Sequence, residues 1–122
     1  MEGKANEMFL DWIASKYFFK DKKYSDLNIY QKGDIGEFLR FQITKYAYIL
    51  EWLDSESIYI SISTLGLQSC FKYEIQAFYP LTRMESFAMY RTRQEATEAA
   101  IKKAVEIYND KYKGDEHSNT NG

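Results

Sequence analysis

Few residues of this chain could do chemistry, and most of them stand alone. Cys70 is its only cysteine and His117 its only histidine. A thiolate nucleophile needs a base within hydrogen-bonding reach, and His117 lies in a run, 113–122, with no apolar residue to anchor it. The two are not expected to meet, and Cys70 reads as a small residue on a strand. Structural zinc needs several Cys or His ligands and is excluded by count. Asp54 and Glu56 read as solvated residues near a helix end. No phosphate-cradling loop, dinucleotide-binding glycine pattern or serine elbow is present. The chain is therefore expected to be no enzyme, with no catalytic residue, metal or cofactor. One anion-binding constellation stands out: Arg91 and Arg93 at the start of a predicted helix, with Arg83 on the connection before it. Unpaired first-turn N–H groups and the helix dipole favour an anion there. The alternative is that these arginines are solvated or pair with Glu85 or Glu95.

Composition narrows the setting of these residues. With 122 residues and 45% hydrophobic content the chain can bury one core and is too short for two ordinary domains. Sixteen basic against 18 acidic residues, net −2, do not mark a general polyanion binder. A lone cysteine precludes an internal disulfide, and neither a secretory start nor a membrane-length apolar run is seen, so a cytoplasmic protein with no membrane contact is expected. Tyrosine contributes 11 residues to an aromatic content of 17%. Rings of that kind enrich binding surfaces, and a half-open sheet also displays them.

The elements that must position these residues follow from hydrophobic spacing. Phe9, Trp12, Ile13 and Tyr17 predict a helix over 6–19, and the charged run 20–26 predicts a turn. Leu27 to Tyr30 is ambiguous and admits a short strand. Gly33 and Gly36 bracket Asp34 and Ile35 as punctuation. From Ile35 a helical stripe runs through Phe38, Leu39, Ile43, Tyr46, Ile49, Leu50 and Leu53, although Phe38 to Thr44 also fits a strand. From Ser57 the period becomes two: Ile58, Ile60 and Ile62 against Tyr59, Ser61 and Ser63. Gly66 marks a turn, and Phe71, Tyr73, Ile75 and Ala77 alternate with Cys70, Lys72, Glu74 and Gln76 in a second, antiparallel strand. Pro80 closes it, and a third strand is predicted at Ser86 to Tyr90. Thr92 and Glu95 then form a capping box for a helix whose apolar side holds Ala96, Ala100, Ile101, Ala104, Ile107, Tyr108 and Tyr112. Its small residues let a sheet approach closely. Beyond Tyr112 a mobile, disordered tail is expected.

Two families resemble parts of this chain, and a third is met only in a bare glycine motif. Thr92-Arg93-Gln94-Glu95-Ala96-Thr97, with Ala99, Ala100 and Ala104 after a helix and three strands, resembles the final helix of double-stranded-RNA-binding domains. That likeness implies phosphate contact by the helix start, where Arg93 keeps a positive charge while Gln94 and Thr97 stand in place of lysines. Gly33-Asp34-Ile35-Gly36 has the bare form of the KH-domain backbone clamp, but an aspartate between the glycines would repel phosphate, and it reads as a turn. The ending Tyr90-Arg91-Thr92-Arg93-Gln94-Glu95-Ala96, with Ala99, Ala100, Ile101, Lys103 and Ala104, is similar to small uncharacterised proteins carried by phages and prophages of gut bacteria. Leu50-Glu51-Trp52-Leu53-Asp54-Ser55 belongs to the same likeness. It implies an accessory protein that acts by binding and supplies no functional residues.

The sequence thus predicts one α+β domain over residues 1–112, in the order α-α-β-β-β-α, with helices on one face of a three-stranded antiparallel sheet. The expected function is protein–protein contact with a host factor through the open sheet face: Tyr59, Ser61, Ser63, Lys72, Glu74 and Gln76. The alternative is a nucleic-acid module using Arg83, Arg91 and Arg93. Oligomeric state stays open, since a free strand edge or a tyrosine-bearing face could pair two copies.

Overall fold

The first helix, α1 (Gly3–Ile13), forms because Ala5, Phe9 and Ile13 recur at four-residue intervals, and all three are buried. Its first turn is capped from across the fold. The Asn109 side chain accepts the Ala5 N–H at 2.8 Å and donates to the Glu2 carbonyl at 3.0 Å. Gly3, at φ +68°, sits where a Cβ would come within 3.1 Å of that amide. A computed structural model describes residues 1–64, 70–78 and 81–121, with side chains described as far as residue 112 in the last stretch.

Helix α1 ends in a π-helical turn, Ala14–Phe18, closed by the Phe19 N–H on the Ala14 carbonyl at 2.7 Å. The wide turn swings Tyr17 onto Tyr48 and Phe18 onto Phe38, with ring centroids 5.1 and 5.2 Å apart. After a 3-10 turn at Tyr24–Asp26 comes α2 (Ile29–Phe38). Here the structure corrects two expectations. Leu27 to Tyr30 holds no strand; it is the entry to a helix. Asn28 accepts the Gln31 N–H at 2.9 Å, and Gln31 Oε1 accepts the Asn28 N–H at 3.0 Å, a complete capping box. Gly33 and Gly36 do not punctuate the chain, because both lie inside α2. The chain breaks later, at residues 39–41, before α3 (Gln42–Ser55). The stripe read as one helix from Ile35 is therefore two, and its strand alternative does not occur. Helix α3 buries Ile49, Trp52 and Leu53.

Ser57, at φ +60°, turns the chain into β1 (Ile58–Thr64). It pairs antiparallel with β2 (Phe71–Ala77), Ile60 opposite Ile75 and Ser61 opposite Glu74. Gly66 and Pro80 lie outside the described residues. The third strand is β3, Thr82–Glu85, not Ser86 to Tyr90. It pairs with β2 through Ile75 opposite Met84. It ends at Ser86 because that side chain takes the Tyr73 N–H at 3.2 Å while the Ser86 N–H donates to the Tyr73 carbonyl at 2.9 Å. The chain then bulges outward, leaving the Phe87 ring fully exposed, before Tyr90 rejoins β2 at Phe71 in a single bridge.

Helix α4 (Arg93–Asn121) starts under Thr92, whose hydroxyl accepts the Glu95 N–H at 3.0 Å. Ala96, Ala100, Ile101, Ala104, Val105 and Tyr108 are buried, and the helix packs on β1 and β2 as well as on α1 and α3. Its backbone continues across the stretch read as a tail, whose side chains lie outside those described. The architecture is α+β, with the sheet order β1-β2-β3 and the helices on one face. The core gathers Phe9, Ile13, Ile35, Ile49, Trp52, Leu53, Ile58, Ile75 and the buried side of α4. No described helix is long and apolar enough to cross a membrane.

Candidate binding face

Alternation along paired strands sends successive side chains to opposite faces. Ile58 and Ile60 on β1 therefore share a face with Ile75 and Ala77 on β2, and this is the face that joins the core. The six residues expected to make contact lie together on the opposite face: Tyr59, Ser61 and Ser63 from β1 beside Gln76, Glu74 and Lys72 from β2. Arg83 and Glu85 of β3 extend the same row across the sheet. Tyr59, Ser61, Ser63 and Gln76 are exposed, whereas Lys72 and Glu74 on the central strand are partly shielded by their neighbours.

The charges on this face are paired diagonally. Lys72 reaches Glu85 at 3.0 Å and Arg83 reaches Glu74 at 2.5 Å. The Glu74 carboxylate, accepting the Arg83 hydrogen bond, raises the guanidinium pKa above its ordinary value. Exposed pairs of this kind contribute between zero and about 1 kcal/mol each. Their larger effect is to fix a patterned surface in which each charge is locally neutralised. At the end of the face, Tyr59 meets Phe78 edge-on, centroids 6.0 Å apart, and both rings remain exposed. Two aromatic anchors next to a neutralised polar grid is a composition found in protein-contact patches. Phe78 escaped the sequence reading, although it continues the alternation Lys72, Glu74, Gln76 by one more step.

The arginines of the anion-binding alternative do not converge. Arg83 is held on the open face by Glu74. Arg93 lies over the Phe71 ring, 5.5 Å from its centroid, on the face that carries α4. Arg91 is exposed on the connection to α4. Only Arg91 and Arg93 remain near the helix start, where the Thr92 hydroxyl already satisfies one of its free N–H groups.

Two further places carry polar side chains in contact. A groove of about 830 Å³ runs between the start of α1, α3 and α4, lined by Lys4, Lys45, Lys102, Glu98 and Glu106 among others. Burial and the nearby Glu98 carboxylate push the Tyr46 phenol up. The groove mixes charges of both signs and the Asn109 clamp on α1 lines it, so it reads as a seam between helices. At the π-helical turn, Tyr17 donates to Glu51 at 2.5 Å and Lys16 reaches the same oxygen at 3.0 Å. That shared carboxylate raises the Tyr17 phenol to about 12. The cluster ties α1 to α3 on an exposed surface and presents no base freed for proton transfer. No cluster of metal-ligating side chains occurs among the described residues.

Comparison with known proteins returns no family model, no curated protein and no solved structure that matches this chain.

Proposed function

We propose that this chain is a non-enzymatic binding protein of the accessory kind carried by phages and other mobile elements, acting in the cytoplasm by docking on a host protein. The observation that carries the reading is the asymmetry of the sheet. Every strand residue in the core belongs to one face, and the other face leaves Tyr59, Ser61, Ser63, Gln76 and Phe78 exposed around two ion pairs. A sheet face with aromatic anchors and internally neutralised charges favours a partner of mixed, modest charge over a polyanion. The resemblance of the Tyr90-to-Ala104 region to phage accessory proteins points the same way.

The test is a photo-crosslinking residue placed at Gln76, on the open face, and separately at Glu37, on α2, in cells of the host. Crosslinks to one discrete protein from Gln76 alone, lost on Tyr59→Lys, are expected. Equal crosslinking from both positions, or none from Gln76, overturns the reading. A salt titration with double-stranded RNA and DNA runs beside it. No binding is expected, whereas affinity that falls steeply with salt would establish the nucleic-acid alternative.

A further inference from the structure

The outer edge of β1 carries none of the sequence features that blunt a sheet edge. Over Ile58–Thr64 it has seven residues with no charge, proline or glycine. The opposite edge, β3, is four residues long and carries Arg83 and Glu85. Which groups the β1 edge presents follows from one bond. The Phe78 N–H donates to the Ser57 carbonyl at 3.2 Å. Hydrogen-bonded pairs alternate in an antiparallel ladder, so Tyr59, Ser61 and Ser63 direct their backbone groups to β2. Ile58, Ile60, Ile62 and Thr64 direct theirs outward. The far ladder agrees, since Ser86 bonds Tyr73 and even-numbered β2 residues are left for β1. Among the described residues, β1 pairs with β2 alone.

We infer that this edge pairs with the same edge of a second copy, antiparallel and centred on Ser61, joining two three-stranded sheets into one of six strands. The strand is self-complementary in that register. Ile58 falls opposite Thr64, Tyr59 opposite Ser63, Ile60 opposite Ile62, and Ser61 opposite itself. Ile60 meets Ile62 and Ile58 meets Thr64 on the helix-covered face, with neutral polar side chains on the open face, so no like charges oppose each other. All the outward N–H and C=O groups find partners. Sliding the register by two residues strands one end of the row, and sliding by one turns paired groups away from each other. Ile62, half-buried and outside the core cluster, gains the partner's Ile60 as a neighbour. Resting on the function proposed above, the pairing also sets both copies' Tyr59, Ser61 and Ser63 side by side, so the docking face becomes one continuous two-copy surface.

The register makes the inference testable. Across the axis the Ser61 pair is a non-hydrogen-bonded one, the kind whose side chains stand closest. In a Cys70→Ser background, Ser61→Cys is expected to oxidise mostly to a covalent dimer, while Ser63→Cys, facing the partner's Tyr59, stays largely without a disulfide crosslink. Sedimentation equilibrium of the unsubstituted chain is expected to show a dimer that Ser61→Lys weakens at least several-fold by placing like charges on the axis. Within its own chain that lysine faces Glu74, and an unchanged far-ultraviolet circular dichroism spectrum will show that the fold is intact even as the lost pairing lowers the urea midpoint. A chain that stays monomeric at every concentration, or equal crosslinking at positions 61 and 63, overturns the inference. Both readouts use the isolated protein, so their failure leaves the host-contact reading standing, and failure of the crosslinking in cells leaves the dimer standing.

Discussion

The two faces of one small sheet stand in opposite surroundings. On one, Ile58, Ile60, Ile75 and Ala77 face the helical layer, which includes α3 and α4, and Ala96, Ala100 and Ala104 of α4 are completely buried. On the other, a few ångströms away through the same backbone, Tyr59, Ser61, Ser63 and Gln76 meet solvent. Both faces share one set of main-chain hydrogen bonds, so the difference lies entirely in side chains. Stability is concentrated where apolar area is removed from water, and the exposed face is free to vary its chemistry at little cost to the fold.

That contrast fails if substitutions on the two faces cost the same. The largest effect is expected from Ile75→Ala, which empties a site with no solvent exposure and should lower stability by about 2–5 kcal/mol. Chemical denaturation followed by circular dichroism measures it. Ala100→Leu tests closeness of approach: added bulk between α4 and its neighbours should cost about 1–3 kcal/mol by overpacking, and a neutral result would mean that the helix stands off. On the open face, Glu74→Gln removes the carboxylate charge from the pair with Arg83 while leaving an acceptor oxygen, and should change stability by no more than about 1 kcal/mol, with the loss reduced further in high salt. A comparable loss at Glu74 and Ile75 would erase the distinction between the faces.

How much of this was legible beforehand differs by element. The β1–β2 hairpin, its register of faces and the start of α4 could be read because strict alternation and a capping threonine are local signals. All six proposed contact residues came with that alternation. The third strand was placed four residues late because its end depends on the Ser86 hydroxyl bonding Tyr73, a contact across strands that composition does not display. Helix α2 was missed for the opposite reason. The Asn28-to-Gln31 capping box is a local pair the reading passes over, and Gly33 and Gly36 make the segment look broken. No atom lies within 4 Å of a Cβ built on either glycine, so neither is required for space. Gly33→Ala and Gly36→Ala should each stabilise the fold by about 0.5–1 kcal/mol, read as a higher denaturation midpoint. The Asn109 clamp on α1 joins residues at the two ends of the chain and has no local signature at all.

The division between a covered and an open face can be measured in the free protein with a soluble paramagnetic probe and side-chain NMR. Strong relaxation enhancement is expected at Tyr59, Ser61, Ser63, Gln76 and Phe78, with little at Ile58, Ile75, Ala77 and Ala100. Strong enhancement at Ile58 and Ile75, or protection of the Tyr59 row, would contradict the account.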